Sequence, residues 1–276
     1  MKKTAWINNT YQPYSDLTLH VSDLSIQRGY AIFDFMLERN GRVAFIEEYI
    51  NRFMASAALL ALEPGYSKKE TEEIIYKLLQ QNGFHNSSIK LLLTGGYSED
   101  GYTPVKPNFI IINHPFAVSA LHYKEGVSLI TAEYQREMPE AKHIDYVMSL
   151  RLLPQMKAKG ALDVLYYRNR HIYETSRCNF FLVKNQTLIT PASGMLHGIT
   201  RNNVLKLAKD LCRVEERNVA IEEIRDADEA FITCTTRNVM PVTKIDETVI
   251  GNGQVGNVTA LLGEKYNELL ALNASS

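Results

Sequence analysis

The stretch YETSRCNFFLV, residues 173–183, joins one acid to an apolar run through four small or charged residues. The run NFFLV has the β-branched and aromatic character of a strand, and Thr175-Ser176-Arg177-Cys178 before it has the polarity of a turn. Glu174 therefore stands where a strand pair turns. The plain reading is a solvated turn glutamate. The functional reading is a carboxylate that pairs with a cationic ring nitrogen.

Downstream, GMLHGITRNNVLKLAKDL (194–211) sets Gly198 before a helix whose apolar side carries Val204, Leu205, Leu207 and Leu211. A helix start offers unpaired N–H groups and the positive end of a dipole, which suits a phosphate. On spacing alone, Thr200 as an ordinary helix cap explains the pattern equally simply. Further on, ITCTTRNVMPV (232–242) places Thr235 and Thr236 after a strand, as phosphate ligands or as a turn. Upstream, EMPEAKHIDYVM (137–148) holds Lys142 among a proline, a histidine and several acids. A lysine that condenses with a carbonyl must lose part of its hydration or lie near positive charge. Arg52, on the helix EEYINRFMASAALLAL, would ordinarily be a solvated or ion-paired arginine.

The rest of the chain reads as strands mixed with helices. YAIFDFMLERNGRVAFI contains the strongest hairpin signal, Asn40-Gly41, and residues 68–81 read as a helix. SIKLLLTGG and PNFIIIN read as strands around a long loop. HPFAVSAL is a candidate connector, and the second half alternates strands with helices near 146–159, 199–213 and 257–272. This is an α/β (α+β) chain with an N-terminal domain over 1–113, a connector over 114–122 and a C-terminal domain over 123–276.

The chain has 276 residues, 45% hydrophobic and 22% charged, with a net charge of −1. That balance supplies no reason to expect nucleic acid or anionic lipid. The apolar runs are strand-sized, so no membrane span is expected, and MKKTAWINN lacks the apolar core of a signal peptide. Three scattered cysteines, without a C-x-x-C pair, read as free thiols of a cytoplasmic protein.

The order of these features resembles the class IV aminotransferases, the fold-type IV pyridoxal-phosphate enzymes. An arginine on an early helix, a lysine near mid-chain, a glutamate 32 residues later, GITR opening a helix and CTT after a strand follow the family's order. The resemblance runs from HVSDLSIQRGYAIFDF to GNGQVGNVTALLGE. Its specific parts are YETSRCNFFLV, against the family's E-x-x-x-x-N-x-F, and LHGITR, against L-P-G-I-T-R.

The resemblance implies a smaller N-terminal α/β domain, a larger C-terminal pseudo-barrel and pyridoxal 5'-phosphate as cofactor, with no metal. It implies Lys142 as the Schiff-base lysine and Glu174 as partner of the pyridine nitrogen. Arg52, the N–H groups of Ile199 and Thr200, and the hydroxyl of Thr235, shared with Thr236, would form the phosphate cup. Tyr146 would meet the ring oxygen. The partners implied are an amino acid, a 2-keto acid and a second copy of the chain in a homodimer.

The family pattern Y-G-D-G-V-F-E-T is altered here, where Arg28 replaces a tyrosine and Asp34 a glutamate. Arg177 stands where the family usually has a small or neutral residue, and the strand end at Thr94-Gly95-Gly96 lacks the arginine and histidine of the usual D-amino-acid enzymes. Arg28 and Arg177 are therefore expected to grip a substrate carboxylate, unless Asp23, Asp34 or Glu137 claims them. The expected activity is transamination of a D-amino acid. A branched-chain L-amino-acid aminotransferase is the alternative, with Phe33, Phe35, Met36 and Leu93 as an apolar pocket or as core. A 4-amino-4-deoxychorismate lyase comes behind it. A scaffold kept for binding alone would have no use for Lys142, Glu174, Arg52 and GITR together.

Overall fold

The computed structural model describes residues 3–117 and 123–275, and the chain divides into two compact units. The first comprises residues 3–117 with Ala141–Asp145 and 272–275. Its strands are β1 (Thr4–Ile7), β2 (Thr10–Pro13), β3 (Ala31–Arg39), β4 (Arg42–Val43), β5 (Asn86–Thr94) and β6 (Phe109–Pro115). They form one antiparallel sheet in the order β2-β1-β6-β5-β3-β4. Helices α1 (Leu24–Arg28), α2 (Ile46–Leu59) and α3 (Lys68–Asn82) belong to the same unit.

The hairpin expected at Asn40-Gly41 is present. Both residues have positive φ, 52° and 82°, as the twist of a tight two-residue turn requires. β3 alternates. Ile32, Asp34, Met36 and Glu38 are buried beneath α2, while Phe33, Phe35 and Leu37 are half-buried on the opposite face. Opposing residues of β5 share that second face, so Lys90 and Leu92 stand beside Phe35 and Phe33. Trp6, Phe53 and Phe109 lock the core, with Phe53 stacked on Phe109 at 5.2 Å and Trp6 edge-on to it at 5.3 Å. α3 begins in a capping box, Ser67 with Glu70, and ends at Gly83, close to its expected bounds.

The second unit comprises residues 123–140 and Tyr146–Ala271. Its strands are β7 (Val127–Glu133), β8 (Asp163–Arg168), β9 (His171–Thr175), β10 (Asn179–Lys184), β11 (Thr187–Thr190), β12 (Arg213–Glu216), β13 (Val219–Ala220), β14 (Glu229–Cys234), β15 (Asn238–Ile245) and β16 (Thr248–Val249). The helices are α4 (Val147–Ala158), α5 (Ile199–Ala208) and α6 (Asn257–Ser275), whose residues 272–275 group with the first unit. The ladder β10-β14-β15-β7-β8-β9 returns to β10 through the pair Asn179↔Glu174. The sheet thereby closes on itself, as the expected pseudo-barrel does, and Leu129, Leu165, Phe180, Ile232 and Met240 fill it.

Several boundaries differ from the sequence reading. β6 runs through His114 and Pro115 because both pair with Ser88 and Ser87, so the start of the expected connector is strand; residues 118–122 lie outside the described part. Ala141–Asp145 packs with the first unit, although the sequence suggested an undivided C-terminal domain. α5 ends at Ala208 rather than near 213. Among the described residues, no helix is long and apolar enough to cross a membrane, and no group of three or more His, Cys, Asp or Glu is placed to hold a metal ion.

α1 was not legible in sequence. Asp23, fully buried, caps it by accepting from Ser25 N at 2.8 Å, and also accepts from Thr94 Oγ1 at 2.7 Å and Asn108 Nδ2 at 2.8 Å. A lost cap costs about 1 kcal/mol, and each orphaned buried donor about 1–3 kcal/mol. Asp23→Ala should therefore lower the urea-unfolding free energy by roughly 3 kcal/mol. A change below about 0.5 kcal/mol, the usual range for surface sites, would refute the role given to Asp23.

Candidate active site

In the first unit, β4 covers only the end of β3, at Glu38 and Arg39, and leaves the edge at Ala31–Phe33 open. The segment carrying Lys142 occupies that edge. Phe33 N donates to Lys142 O at 2.9 Å, Ile144 N donates to Ala31 O at 3.2 Å, and Ile32 bridges His143. On its other side, Lys142 N donates to the buried Ser56 Oγ of α2 at 3.1 Å. The lysine backbone is thus held from two directions. Its Nζ lies over the Phe33 ring, 4.5 Å from the centroid. Lys90 Nζ lies 5.2 Å from the same centroid, and partial loss of hydration lowers its affinity for protons.

Arg52 comes from α2 and meets Asp34 as a fork, Nε to Oδ2 at 2.9 Å and NH2 to Oδ1 at 2.6 Å. Asp34 is fully buried and also accepts from Phe35 N at 2.7 Å. The pairing uses part of a five-donor group and fixes its plane. Arg28 ends α1, is exposed, and turns back to Gln27 O at 2.9 Å. Neither Asp23 nor Asp34 claims it. Of the proposed apolar-pocket residues, Met36 and Leu93 are fully buried core. Phe33 and Phe35 remain half-buried on the face that also carries Lys90.

In the second unit, Glu174 and Asn179 sit opposite one another across β9 and β10. Thr175 N donates to Cys178 O at 2.8 Å, and Cys178 N donates to Thr175 Oγ1 at 2.9 Å. The E-x-x-x-x-N spacing is therefore that of a tight turn which puts both side chains on one face. They grip the same residue. Leu196 N donates to Glu174 Oε2 at 3.1 Å, and Leu196 O accepts from Asn179 Nδ2 at 2.7 Å. A Cβ at Gly198 would collide with Asn179 Oδ1, so a side chain there would displace Asn179 from its place.

Glu174 Oε1 also takes Arg136 Nε and NH2, both at 2.8 Å, with the two side chains only 7% and 8% exposed. Arg136 in turn donates to Pro139 O at 2.7 Å. Sequence reading missed Arg136; nothing local separates it from the other basic residues. Tyr146 precedes α4, and burial, reinforced by the Glu174 charge and opposed by Arg136, pushes its phenol up to about 12. It remains a proton donor at neutral pH.

Gly198 is the N-cap of α5, not Thr200, and no acid stands in the first turn to offset the helix's positive end. The Thr200 hydroxyl is buried and accepts from Tyr266 OH at 3.2 Å. Ile199 and Thr200 are at the helix start, where backbone N–H groups lack helical acceptors. Thr235 and Thr236 form the turn from β14, against which α5 packs, into β15. Thr236 Oγ1 lies 3.6 Å from Cys234 Sγ. Arg177 occupies the tip of the β9–β10 turn, 45% exposed, with Nε 3.4 Å from the fully buried Asp163. Its acid partner is thus none of those the sequence suggested. A buried carboxylate, a protonated phenol and an uncompensated helix start fit the ring nitrogen, ring oxygen and phosphate of a phosphorylated pyridine.

The Amino-transferase class IV family matches residues 31–245. A putative branched-chain-amino-acid aminotransferase of Methanocaldococcus jannaschii is 29% identical over 96% of this chain and 95% of its own length. A D-alanine aminotransferase of Listeria monocytogenes is 27% identical over 95% and 94%. The chain spans only 51% of a branched-chain-amino-acid aminotransferase-like protein of Arabidopsis thaliana that it also matches, at 29% identity over 97% of this chain. A branched-chain amino acid aminotransferase from T.th., crystallised with pyridoxamine 5'-phosphate, superposes with a TM-score of 0.90 at 25% identity, over 98% of this chain and 95% of that one. Agreement of this length, across both units and in sequence as well as backbone, places the chain in the class IV aminotransferase family, as a pyridoxal-phosphate-dependent aminotransferase.

Proposed function

We propose that the chain moves an amino group between a D-amino acid and a 2-keto acid, with Lys142 as the residue that attaches the cofactor and carries the proton. The observation behind this is the double anchoring of the Lys142 backbone, on β3 and on Ser56, which leaves the side chain to act from a fixed base. Pyridoxal phosphate, when bound, supplies a carbonyl that exchanges amines and a ring that accepts electrons. Lys142 would take the proton from substrate Cα and deliver it to the cofactor's former carbonyl carbon, two atoms away across the nitrogen. Glu174 holds the ring-nitrogen proton, and Arg136 and Leu196 N–H keep the carboxylate in place. Tyr146 donates to the ring oxygen. Arg52, Ile199 N–H, Thr200 N–H, and the Thr235 and Thr236 hydroxyls bind phosphate.

Arg28 and Arg177 are proposed for the substrate α-carboxylate. Arg28 has no acidic partner among the described residues, and Arg177 is held only at 3.4 Å. Lys90, which the sequence reading did not consider, is proposed for an acidic substrate side chain. A branched-chain substrate remains the second reading, because Phe33 and Phe35 present half-buried apolar surface beside Lys90. A homodimer is proposed on the exposed apolar residues Val21, Ile26, Tyr97 and Tyr102 of the first unit. The cytoplasm is proposed on three cysteines left as thiols.

Lys142→Ala should abolish the visible absorbance of the lysine-bound cofactor and lower turnover by about 10³-fold or more; retained turnover would remove Lys142 from its role. The loaded protein, given one amino acid and no acceptor, should convert with D-alanine and D-glutamate but not with L-leucine or L-glutamate. Lys90→Met should weaken D-glutamate by about tenfold or more, the value of one charged hydrogen bond, and spare D-alanine. Conversion with the L-amino acids alone would establish the branched-chain reading. Light scattering should return twice the chain mass, and a fully active species of single mass would overturn the dimer.

A further inference from the structure

Two of the three thiols lie together at one end of the closed sheet. Asn179↔Thr233 is the last pair of the β10–β14 ladder, and Cys178 and Cys234 occupy the next opposing positions. The two thiols are close enough that each shifts the other's affinity for protons. Opposed residues on antiparallel strands have Cα atoms about 4.5–5.5 Å apart, within the range a disulfide spans. Cys178 is buried, whereas Cys234 is half-buried. Cationic and hydroxyl groups surround the pair. Arg237 NH1 lies 3.7 Å from Cys178 Sγ and 4.0 Å from Asp163, and Thr236 Oγ1 lies 3.6 Å from Cys234 Sγ. The neighbouring Cys178 thiol, helped by Arg237 and Thr236, draws the Cys234 thiol below its usual range, while burial pushes Cys178 up. Cys212, the third thiol, is on the chain after α5, donates to Ala208 O at 3.7 Å, and is pushed up by burial.

We propose that Cys178 and Cys234 are a peroxide-reactive dithiol, with Cys234 as the attacking sulfur and Cys178 as the resolving one. The Cys234 thiolate attacks a peroxide oxygen, so that an S–O bond forms and the O–O bond breaks. The departing hydroxide takes a proton and leaves as water. The Cys178 sulfur then attacks the Cys234 sulfur of the sulfenic acid. An S–S bond forms, the S–O bond breaks, and the proton released by Cys178 leaves with hydroxide as a second water. The two thiols lose two electrons and one hydrogen peroxide is reduced. The product ties the β9–β10 turn to the end of β14, and a thiol reductant restores both cysteines. No step involves Lys142 or a cofactor, although Thr236, which faces Cys234, is also a proposed phosphate ligand.

The test is titration of the cofactor-loaded full chain with hydrogen peroxide, followed by thiol alkylation, intact mass and peptide mapping. Equimolar peroxide should remove two of three reactive thiols, lower the mass by about 2 Da relative to the reduced chain, and link the peptides containing Cys178 and Cys234. Dithiothreitol should reverse it. Cys212→Ser should react in the same way. Cys178→Ser should instead retain oxygen at Cys234, and Cys234→Ser should slow consumption of peroxide by at least tenfold. The closed form should unfold higher by about 5 °C, because the bond closes a long loop. Three thiols still titrating after peroxide, reaction centred on Cys212, or a bond between chains would each overturn the proposal. The Cys212→Ser chain, which keeps both sulfurs, guards against a result caused by misfolding.

Discussion

The peptide unit at Leu196 is the constraint on which the second unit's chemistry depends. Its N–H is taken by Glu174 and its carbonyl by Asn179. These two side chains face one another only because a four-residue turn sets β9 against β10. The same pair closes the sheet into a ring. One local geometry therefore sets the position of a buried carboxylate, the start of α5 and the closure of the sheet. Buried polar groups left without partners cost more than satisfied ones return, so loss at any of these points is felt at the others.

The first unit solves a different problem, that of holding the segment around Lys142 at a strand edge. An edge strand exposes unpaired N–H and C=O groups. β4 is too short to cover the start of β3, and the segment around Lys142 fills that gap with backbone bonds alone. The side chain rests over the Phe33 ring. Beneath the same strand, Asp34 holds Arg52 in a bidentate pair that fixes where the guanidinium points. A charge so buried is costly in isolation and tolerable when matched. The departure from the family's glutamate at this position thus leaves an acid in service, with a shorter side chain matched to an arginine on α2.

Polar groups cluster at one end of the closed sheet because strand ends are where regular pairing stops. Thr235, Thr236, Arg237 and the two cysteines all lie at the β14–β15 turn or directly opposite it. The interior between them is filled by apolar side chains from alternating positions. Such an end combines a rigid base with groups that the ladder does not consume.

Much of this was legible in the sequence. The Asn40-Gly41 hairpin, α2, α3 and the start of α5 follow from periodicity and turn chemistry that neighbouring residues impose on each other. The Glu174 to Asn179 spacing was visible, and its meaning needed the turn. Other features were not legible. α1 and the two-residue strands are too short to show a period, and they exist because Asp23, Thr94 and Asn108, or an opposing strand, hold them. Arg136 is 38 residues from Glu174, so no local pattern marks their pairing. The partner of Arg177, the core fate of Met36 and Leu93, and the facing of Cys178 and Cys234 depended likewise on which strands became neighbours. The sequence by itself determined the elements and the order of reactive residue types, since both depend on near neighbours. Tertiary structure alone decided which charges meet and which side chains are buried, because those are set by pairing between distant segments.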